Sequence, residues 1–143
     1  MDITQSSSEG QLMAANTNFL AISWNSTGGG VAKFNTSKPV RCPANLPLIC
    51  GHKSNVVGVK FSPFRSDLLA TTSDDSTVKL WEIPQDGLTD DLTNELQYYN
   101  GHARKVSFVN FNPIYSDVIA TASFDKYSSS MEYVKIELLQ KVL

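Results

Sequence analysis

Long apolar runs, a basic N-terminal segment and an excess of positive charge are all missing from this 143-residue sequence. No stretch approaches the ~20 apolar residues of a membrane-spanning helix, so we expect no membrane insertion. Residues 1–10 are polar, which argues against a signal peptide and makes the cytoplasm the default compartment. The net charge of −2 creates no global basic field, so we expect no nucleic-acid partner.

Cysteine is scarce as well, with two residues, Cys42 and Cys50. They form no CxxC motif, and their spacing relative to His52 and His102 matches no zinc-ligand pattern. We therefore expect two reduced thiols, no metal site and no cofactor. Charged residues make up 18% of the chain against about 25% in an average soluble domain, which suits a chain of many short, half-buried strands.

The sequence does contain an internal repeat with an offset of fifty residues. The dipeptide Gly51-His52 recurs as Gly101-His102, and the residues that follow agree without a gap. The matching positions are Val56 and Val106, Val59 and Val109, Phe61 and Phe111, Pro63 and Pro113, Asp67 and Asp117, Ala70 and Ala120, and Asp75 and Asp125. Self-similarity at a fixed period of this size is typical of solenoids and propellers.

Apolar alternation and polar turns predict four short strands in the first repeat unit. The strands lie at 57–61, 68–73, 77–83 and 96–99. Gly-His before the first strand and Trp81 near the end of the third are the blade signature of a WD-repeat propeller. The usual period is ~40–45 residues, and the excess fits a long loop over 84–94. The predicted fold class is all-β, a partial WD-repeat β-propeller.

The repeats divide the chain into three regions. They are a disordered N-terminal segment over 1–15, propeller blades over 16–125 and a divergent C-terminal tail over 126–143. The blades are a partial first blade over 16–50, a full second blade over 51–100 and a partial third blade over 101–125. About two and a half blades cannot close as a ring. We interpret the chain as a truncated or shortened gene copy, the alternative being a short protein that assembles with itself or with other propeller pieces.

The two flanks of the complete blade are less regular. The first blade is predicted to hold strands at 18–24 and 31–35, joined by a hairpin connection at Gly28–Gly30, and a further strand at 46–50. The tail leaves two alternatives. Either 134–136 forms a displaced third strand of the third blade, or one apolar helix face is formed by Val134, Leu138, Leu139 and Val142.

A side-chain network of His, Ser or Thr, Asp and Trp pins each blade of a WD-repeat protein. In the second blade its members would be His52, Asp75, Trp81 and either Thr71 or Ser73, which lie on the same face of one strand. In the third blade the corresponding residues are His102, Thr121, Ser123 and Asp125. No Trp follows Asp125, so the third network is predicted to lack its last member.

The same residue types admit a catalytic interpretation, which we consider much weaker. His, Ser and Asp together suggest a hydrolase triad, and Asp74 with Asp75 suggests an acid and a base. However, Ser73 is predicted to lie on a strand and not on a nucleophile elbow, and the Asp pair is explained by a turn. We expect no catalytic residue and no enzyme activity.

Residues beyond the Gly-His and Trp signature resemble the coronin family. They are 19–24, the triple glycine Gly28–Gly30, 45–48, 61–64, 69–75, 78–84, 86–88, 101–106 and 118–123. The similarity runs from about Asn16 to Asp125. It implies a seven-bladed propeller followed by a linker and a coiled coil, and a non-enzymatic protein that binds actin filaments and organises the actin cytoskeleton.

The resemblance also implies partners and a location. We expect actin filaments and other proteins to bind through the propeller surface, in the cytoplasm and at the cytoskeleton. The family's basic N-terminal segment, which is associated with actin binding, has no counterpart in residues 1–10. No actin-binding residue can therefore be assigned, and we expect the chain alone to bind filaments weakly or not at all. The alternative is a generic WD-repeat scaffold for a trafficking or signalling complex.

Overall fold

The computed structural model describes residues 10–24, 30–37, 41 and 45–123, and the backbone of 133–138. Every regular element within these residues is a β-strand. The strands are β1 (Met13–Ala15), β2 (Phe19–Trp24), β3 (Gly30–Asn35), β4 (Leu48–Ile49), β5 (Val56–Phe61), β6 (Leu68–Ser73), β7 (Val78–Glu82), β8 (Gln97–Tyr99), β9 (Val106–Phe111), β10 (Val118–Ser123) and β11 (Tyr133–Leu138).

The strands form three antiparallel sheets, in each of which chain neighbours pair. Sheets β1-β2-β3-β4 and β5-β6-β7-β8 have four strands, and the sheet β9-β10-β11 has three. The first strand of the middle sheet, β5, contacts both β1 and β9, so the first strands of the three sheets lie side by side. We call β1, β5 and β9 the inner strands. We call the sheets blades 1, 2 and 3. The prediction of an all-β WD-repeat propeller is confirmed.

Burial follows the position of each blade. All six residues of β6 are buried, because blade 2 is packed between two other blades. In β2 buried and half-buried residues alternate, because blade 1 packs against blade 2 on one face. One apolar cluster fills the seam between blades 1 and 2, where the rings of Phe19 and Phe61 stack at 6.5 Å. A second cluster fills the seam between blades 2 and 3 and includes Leu80 and Val106.

The long loop between β7 and β8 reaches back to blade 1. The Leu92 amide donates to the Leu48 carbonyl at 2.9 Å, and the Cys50 amide donates to the Leu92 carbonyl at 2.9 Å. An Asp91 carboxylate oxygen accepts from the Leu48 amide at 2.9 Å. The extra residues of the fifty-residue period therefore cover the outer edge of blade 1, an edge that would otherwise expose unpaired backbone groups.

The N-terminal prediction needs correction, because the assigned disordered segment 1–15 contains β1. Met13 pairs with Ile22, and the Val59 amide donates to the Gln11 carbonyl at 2.9 Å. Blade 1 thus has four strands rather than only the later ones. A three-residue strand carries no readable alternation, and its stability comes from partners distant in sequence.

The C-terminal boundary also differs from the prediction. Of the two alternatives for the tail, the structure has a strand, β11, which pairs with β10 over six residues from Val118↔Leu138 to Ser123↔Tyr133. The third blade therefore extends beyond residue 125 into the segment assigned to the tail. Of the predicted hairpin connection Gly28–Gly30, residues 28 and 29 lie outside the described residues, as do Cys42, Asp125, Leu139 and Val142.

Gly58 allows the inner strands of blades 2 and 3 to approach each other. It lies at a register shift in the β5–β6 pairing. A Cβ atom at this position would lie 2.3 Å from Thr72 Oγ1 and 3.6 Å from the Ser107 carbonyl oxygen of β9. Thr72 is fully buried, so it has no room to retreat.

Replacement of Gly58 by alanine is therefore expected to destabilise the chain by about 1–3 kcal/mol, as other overpacking changes do. Urea unfolding followed by circular dichroism measures the loss. The double variant G58A/T72A is the control, because without Oγ1 the nearest Thr72 atom, Cβ, is 3.6 Å from the new methyl group. Equal losses in the single and double variants would contradict the steric explanation.

Candidate functional site

The predicted network of blade 2 is assembled from three segments of the chain. His52 comes from the loop before β5, Thr71 from β6, and Trp81 from β7. The His52 Nε2 atom lies 2.7 Å from Thr71 Oγ1, and the Trp81 indole donates to the same hydroxyl at 2.9 Å. Trp81 and Thr71 are almost completely buried, and so is His52. The hydroxyl group of Thr71 therefore joins the loop to two strands.

Asp75 completes the network at the turn between β6 and β7. Its Oδ2 atom lies 3.2 Å from His52 Nδ1 and accepts from the Lys53 amide at 2.8 Å. Its Oδ1 atom accepts from the Thr77 amide at 3.0 Å and from the Thr77 hydroxyl at 2.5 Å. Thr77 Oγ1 is also 3.0 Å from His52 Nδ1. Every carboxylate contact thus fixes either the loop or the turn.

One arrangement of protons satisfies all of these groups. The Trp81 N–H donates to Thr71, whose O–H donates to His52 Nε2. The His52 Nδ1–H then donates to Asp75 and Thr77. A neutral imidazole has one donor and one acceptor, which this order uses. Burial alone would disfavour the charged carboxylate, but the hydrogen bonds from His52, Thr77 and the Lys53 amide outweigh it and hold the pKa of Asp75 well below its usual range.

The structure distinguishes the two candidate hydroxyl groups. Ser73 does not contact the imidazole and instead accepts from the Asp75 amide at 3.2 Å, which shapes the turn. Sequence analysis missed Thr77, whose signal was its position two residues after Asp75 in a tight turn. A steric constraint explains why residue 51, before His52, is a glycine, because a Cβ atom there would lie 2.8 Å from Trp81 Cη2.

Blade 3 repeats half of this geometry. His102 Nε2 lies 2.9 Å from Thr121 Oγ1, and both residues are buried. Ser123 donates to the Arg104 and Lys105 carbonyls at 3.0 and 2.6 Å. Ile119 pairs with Glu137 as Leu69 pairs with Trp81, so β11 places Glu137 at the register position of the tryptophan. Position 137 thus carries a glutamate where blade 2 carries a tryptophan.

A hydrolase triad would require a hydrogen bond between Ser73 and His52, and these two described residues do not form one. Both ring nitrogens of His52 are engaged by Thr71, Asp75 and Thr77 inside the blade, and Ser73 bonds to a turn amide. Within the part of the chain that the structure describes, no group of three or more His, Cys, Asp and Glu side chains is arranged to hold a metal ion. The same residues include no helix that is long and apolar enough to cross a membrane.

The exposed surface carries apolar side chains at repeated positions. They project from the turns between the first and second strands of blades 2 and 3, at the end of the blades that we call the lower end. Phe64 is 48% exposed, Ile114 75% and Tyr115 65%. Asn112 Oδ1 accepts from the Ile114 and Tyr115 amides, and Ser62 Oγ accepts from the Phe64 amide. The turns that present these side chains are therefore fixed by their own hydrogen bonds.

Comparison with protein families gives two matches. Residues 1–38 match a family described as a domain of unknown function, DUF1899, and residues 41–82 match the WD domain, G-beta repeat. Human coronin-2B is 37% identical over 100 residues, covering 69% of this chain and 21% of its own length. Coronin-A of Dictyostelium discoideum is 35% identical over 97 residues, covering 68% and 22%. The chain thus spans about a fifth of the length of these relatives.

Solved structures give the same result. The WD40 domain of Toxoplasma gondii coronin superposes with a TM-score of 0.86 at 28% identity, covering 97% of this chain and 34% of that one. A chain of the mitotic checkpoint complex superposes with a TM-score of 0.57 at 20% identity over 76% of this chain, which shows the shared fold alone. The resemblance to the coronin family is therefore confirmed across all three blades.

Replacement of Thr71 by valine should destabilise the chain by about 2–4 kcal/mol. The change keeps the shape but leaves two buried groups, His52 Nε2 and Trp81 Nε1, without their shared partner, at about 1–3 kcal/mol each. S73A is the matched control and should cost about 1 kcal/mol, because it removes one bond to a turn amide. Urea midpoints decide between them, and equal losses would show that Thr71 is not the centre of the network.

The depressed pKa of Asp75 predicts an acid-labile blade. A carboxyl group with a lowered folded-state pKa contributes stability above its unfolded value of about 3.9, and loses it as pH falls below that value. The unfolding free energy should therefore drop between about pH 5 and pH 2. D75N should be less stable at pH 7 and should show a shallower slope, with a remainder from Asp67, whose pKa is lowered by the hydrogen bond from Arg65. Parallel slopes would contradict the assignment to Asp75.

Proposed function

Since the chain belongs to the coronin family, we propose that it serves as a non-enzymatic interaction module of the actin cytoskeleton. The observation that carries this proposal is the combination of coronin-type sequence and coronin-type blade geometry along the same residues. The candidate polar site supports a structural role, because its side chains face each other inside blade 2 and not a cleft. A rigid, repeated frame that presents its loops is suited to binding proteins.

The charge distribution bears on how strongly the chain binds actin. Several of its cations are already matched to carboxylates of the same chain. Arg65 bonds Asp67 and Glu82 at 2.9 and 3.0 Å, and Lys79 bonds Glu95 at 3.1 Å. Lys105 lies 4.0 Å from Asp74. Filament binding through clustered free cations is therefore weakly supported in this part of the propeller, and we propose that strong binding requires more than these blades.

A scaffold for other proteins is the second candidate function. The exposed apolar side chains of Phe64, Ile114 and Tyr115 favour it, since aromatic and aliphatic residues on a fixed surface are typical anchors of protein interfaces. These side chains are uncharged, so their contacts with a partner would involve no ion pair. The two functions therefore predict different dependence on salt, because apolar contacts are not screened by ions.

Co-sedimentation with actin filaments tests the leading function. At low ionic strength a minor fraction of the chain should sediment with filaments, and this fraction should fall to background at physiological salt because the contact is electrostatic. A spin of the chain without filaments measures self-aggregation. A soluble, folded chain that does not sediment at either salt concentration would contradict the predicted binding at low salt and favour the scaffold. Saturable micromolar binding at physiological salt would contradict the predicted weakness.

A further inference from the structure

The lower-end turns of blades 2 and 3 have the same backbone hydrogen bonds. Each turn is closed by the amide of its first residue, which donates to the carbonyl of its last. The donor and acceptor are Ser62 and Leu68 in one turn, and Asn112 and Val118 in the other, both at 2.9 Å. In both turns the side chain of the first residue accepts from the amides two and three residues later. Equivalent positions of the two turns therefore place their side chains alike.

Blade 2 neutralises the aspartate of this turn with an arginine of the same turn. The Arg65 Nε and Nη2 atoms donate to Asp67 Oδ1 and Oδ2 at 3.1 and 2.9 Å, and Nη2 also donates to Glu82 at 3.0 Å. Two parallel N–H bonds to one carboxylate are the preferred geometry of a guanidinium group. The turn of blade 2 thus shows where a guanidinium binds this aspartate.

Blade 3 keeps the aspartate but lacks the arginine. Tyr115 stands at the position of Arg65, and Asp117, the counterpart of Asp67, is exposed. Within the described part of the chain, the Asp117 carboxylate accepts from the Ser116 hydroxyl at 3.1 Å, and no cation lies within ion-pair distance of it. The guanidinium position of blade 2 therefore has no occupant in the described residues of blade 3.

The side chains next to Asp117 suit an arginine better than a lysine. The ring of Tyr115 is mostly exposed, and it precedes Asp117 by two residues, as Arg65 precedes Asp67. A guanidinium group stacks on an aromatic face and also forms the fork with a carboxylate, whereas an ammonium group cannot form that fork. Ile114, which is 75% exposed, offers an apolar contact beside them. The turn thus combines an anion, an aromatic ring and an aliphatic group.

We propose that this turn binds an arginine side chain of a partner protein, which takes the place that Arg65 has in blade 2. Its guanidinium bonds Asp117 and stacks on Tyr115, and an adjoining apolar side chain of the partner packs on Ile114. The proposal rests on the scaffold function described above and names the chemistry of its partner. An exposed ion pair adds up to about fivefold in affinity, so salt should weaken this contact without abolishing it.

Titration of the full chain with two peptides in nuclear magnetic resonance experiments tests the proposal. One probe is acetyl-leucyl-arginyl-leucine amide, and the other has citrulline, which is uncharged and has nearly the same shape, in place of arginine. At low salt the amide signals of Tyr115 and Asp117 should shift saturably, and the arginine peptide should bind at least about threefold more tightly.

Two contrary results have different meanings. Equal affinity for the two peptides would overturn the arginine site and leave an apolar scaffold in place. Absence of saturable shifts with either peptide up to about 20 mM, a range that covers millimolar affinity, would overturn both the arginine site and the scaffold role of this turn.

Three variants make the test specific. D117N should remove the preference for the arginine peptide, and Y115R should do the same, because its own guanidinium would occupy the site as in blade 2. Y115R should also keep or raise the thermal midpoint. D86N is the matched control, which removes the same charge from an exposed aspartate outside the turn and should keep the preference. A threefold preference that persists in D117N would overturn the proposal even if Y115R failed to fold.

Discussion

The hydroxyl group of Thr71 is the point on which blade 2 depends. It accepts from the Trp81 indole and reaches His52, so a single oxygen atom links the third strand, the second strand and the loop that leads in from blade 1. All of these atoms are buried, and any loss leaves polar groups that water cannot reach. Asp75 extends the same link to the turn, where it fixes the amides of Lys53 and Thr77. The network accounts for the four residue types of the repeat.

Polar links within a blade and apolar contacts between blades have separate roles. The network fixes the path of the chain within blade 2, whereas the two apolar clusters set the spacing of the blades. Gly58 and Gly51 mark the closest approaches, one against Thr72 and the neighbouring inner strand, the other against the Trp81 ring. A side chain larger than hydrogen at either position would force the neighbouring group to move, because the interior is close-packed.

Sequence reasoning succeeded where the repeat supplied two copies of a pattern. The four strands of blade 2 were predicted within two residues of their observed ends, because Gly-His and Trp81 bracket them. The sequence could not show whether Thr71 or Ser73 supplies the hydroxyl group, because both lie on the same strand face. Only the structure shows that the His52 imidazole reaches Thr71 and that Ser73 bonds a turn amide. The short strand β1 was missed because its pairing with β2 and its contact with blade 2 are tertiary features. Thr77 was missed because hydroxyl residues in turns have many other roles.

Polar contacts, as well as an apolar cluster, hold blades 1 and 2 together. Between blades 1 and 2, backbone hydrogen bonds join Val59 to Gln11 and Leu92 to both Leu48 and Cys50. The Ser23 hydroxyl adds a bond to the Val56 carbonyl at 2.8 Å. These bonds act together with the apolar cluster of the seam to hold blades 1 and 2 at a fixed spacing. The loop between β7 and β8, which lengthens the repeat to fifty residues, supplies two of them. The same insertion thus covers the edge of blade 1 and connects blade 2 to it.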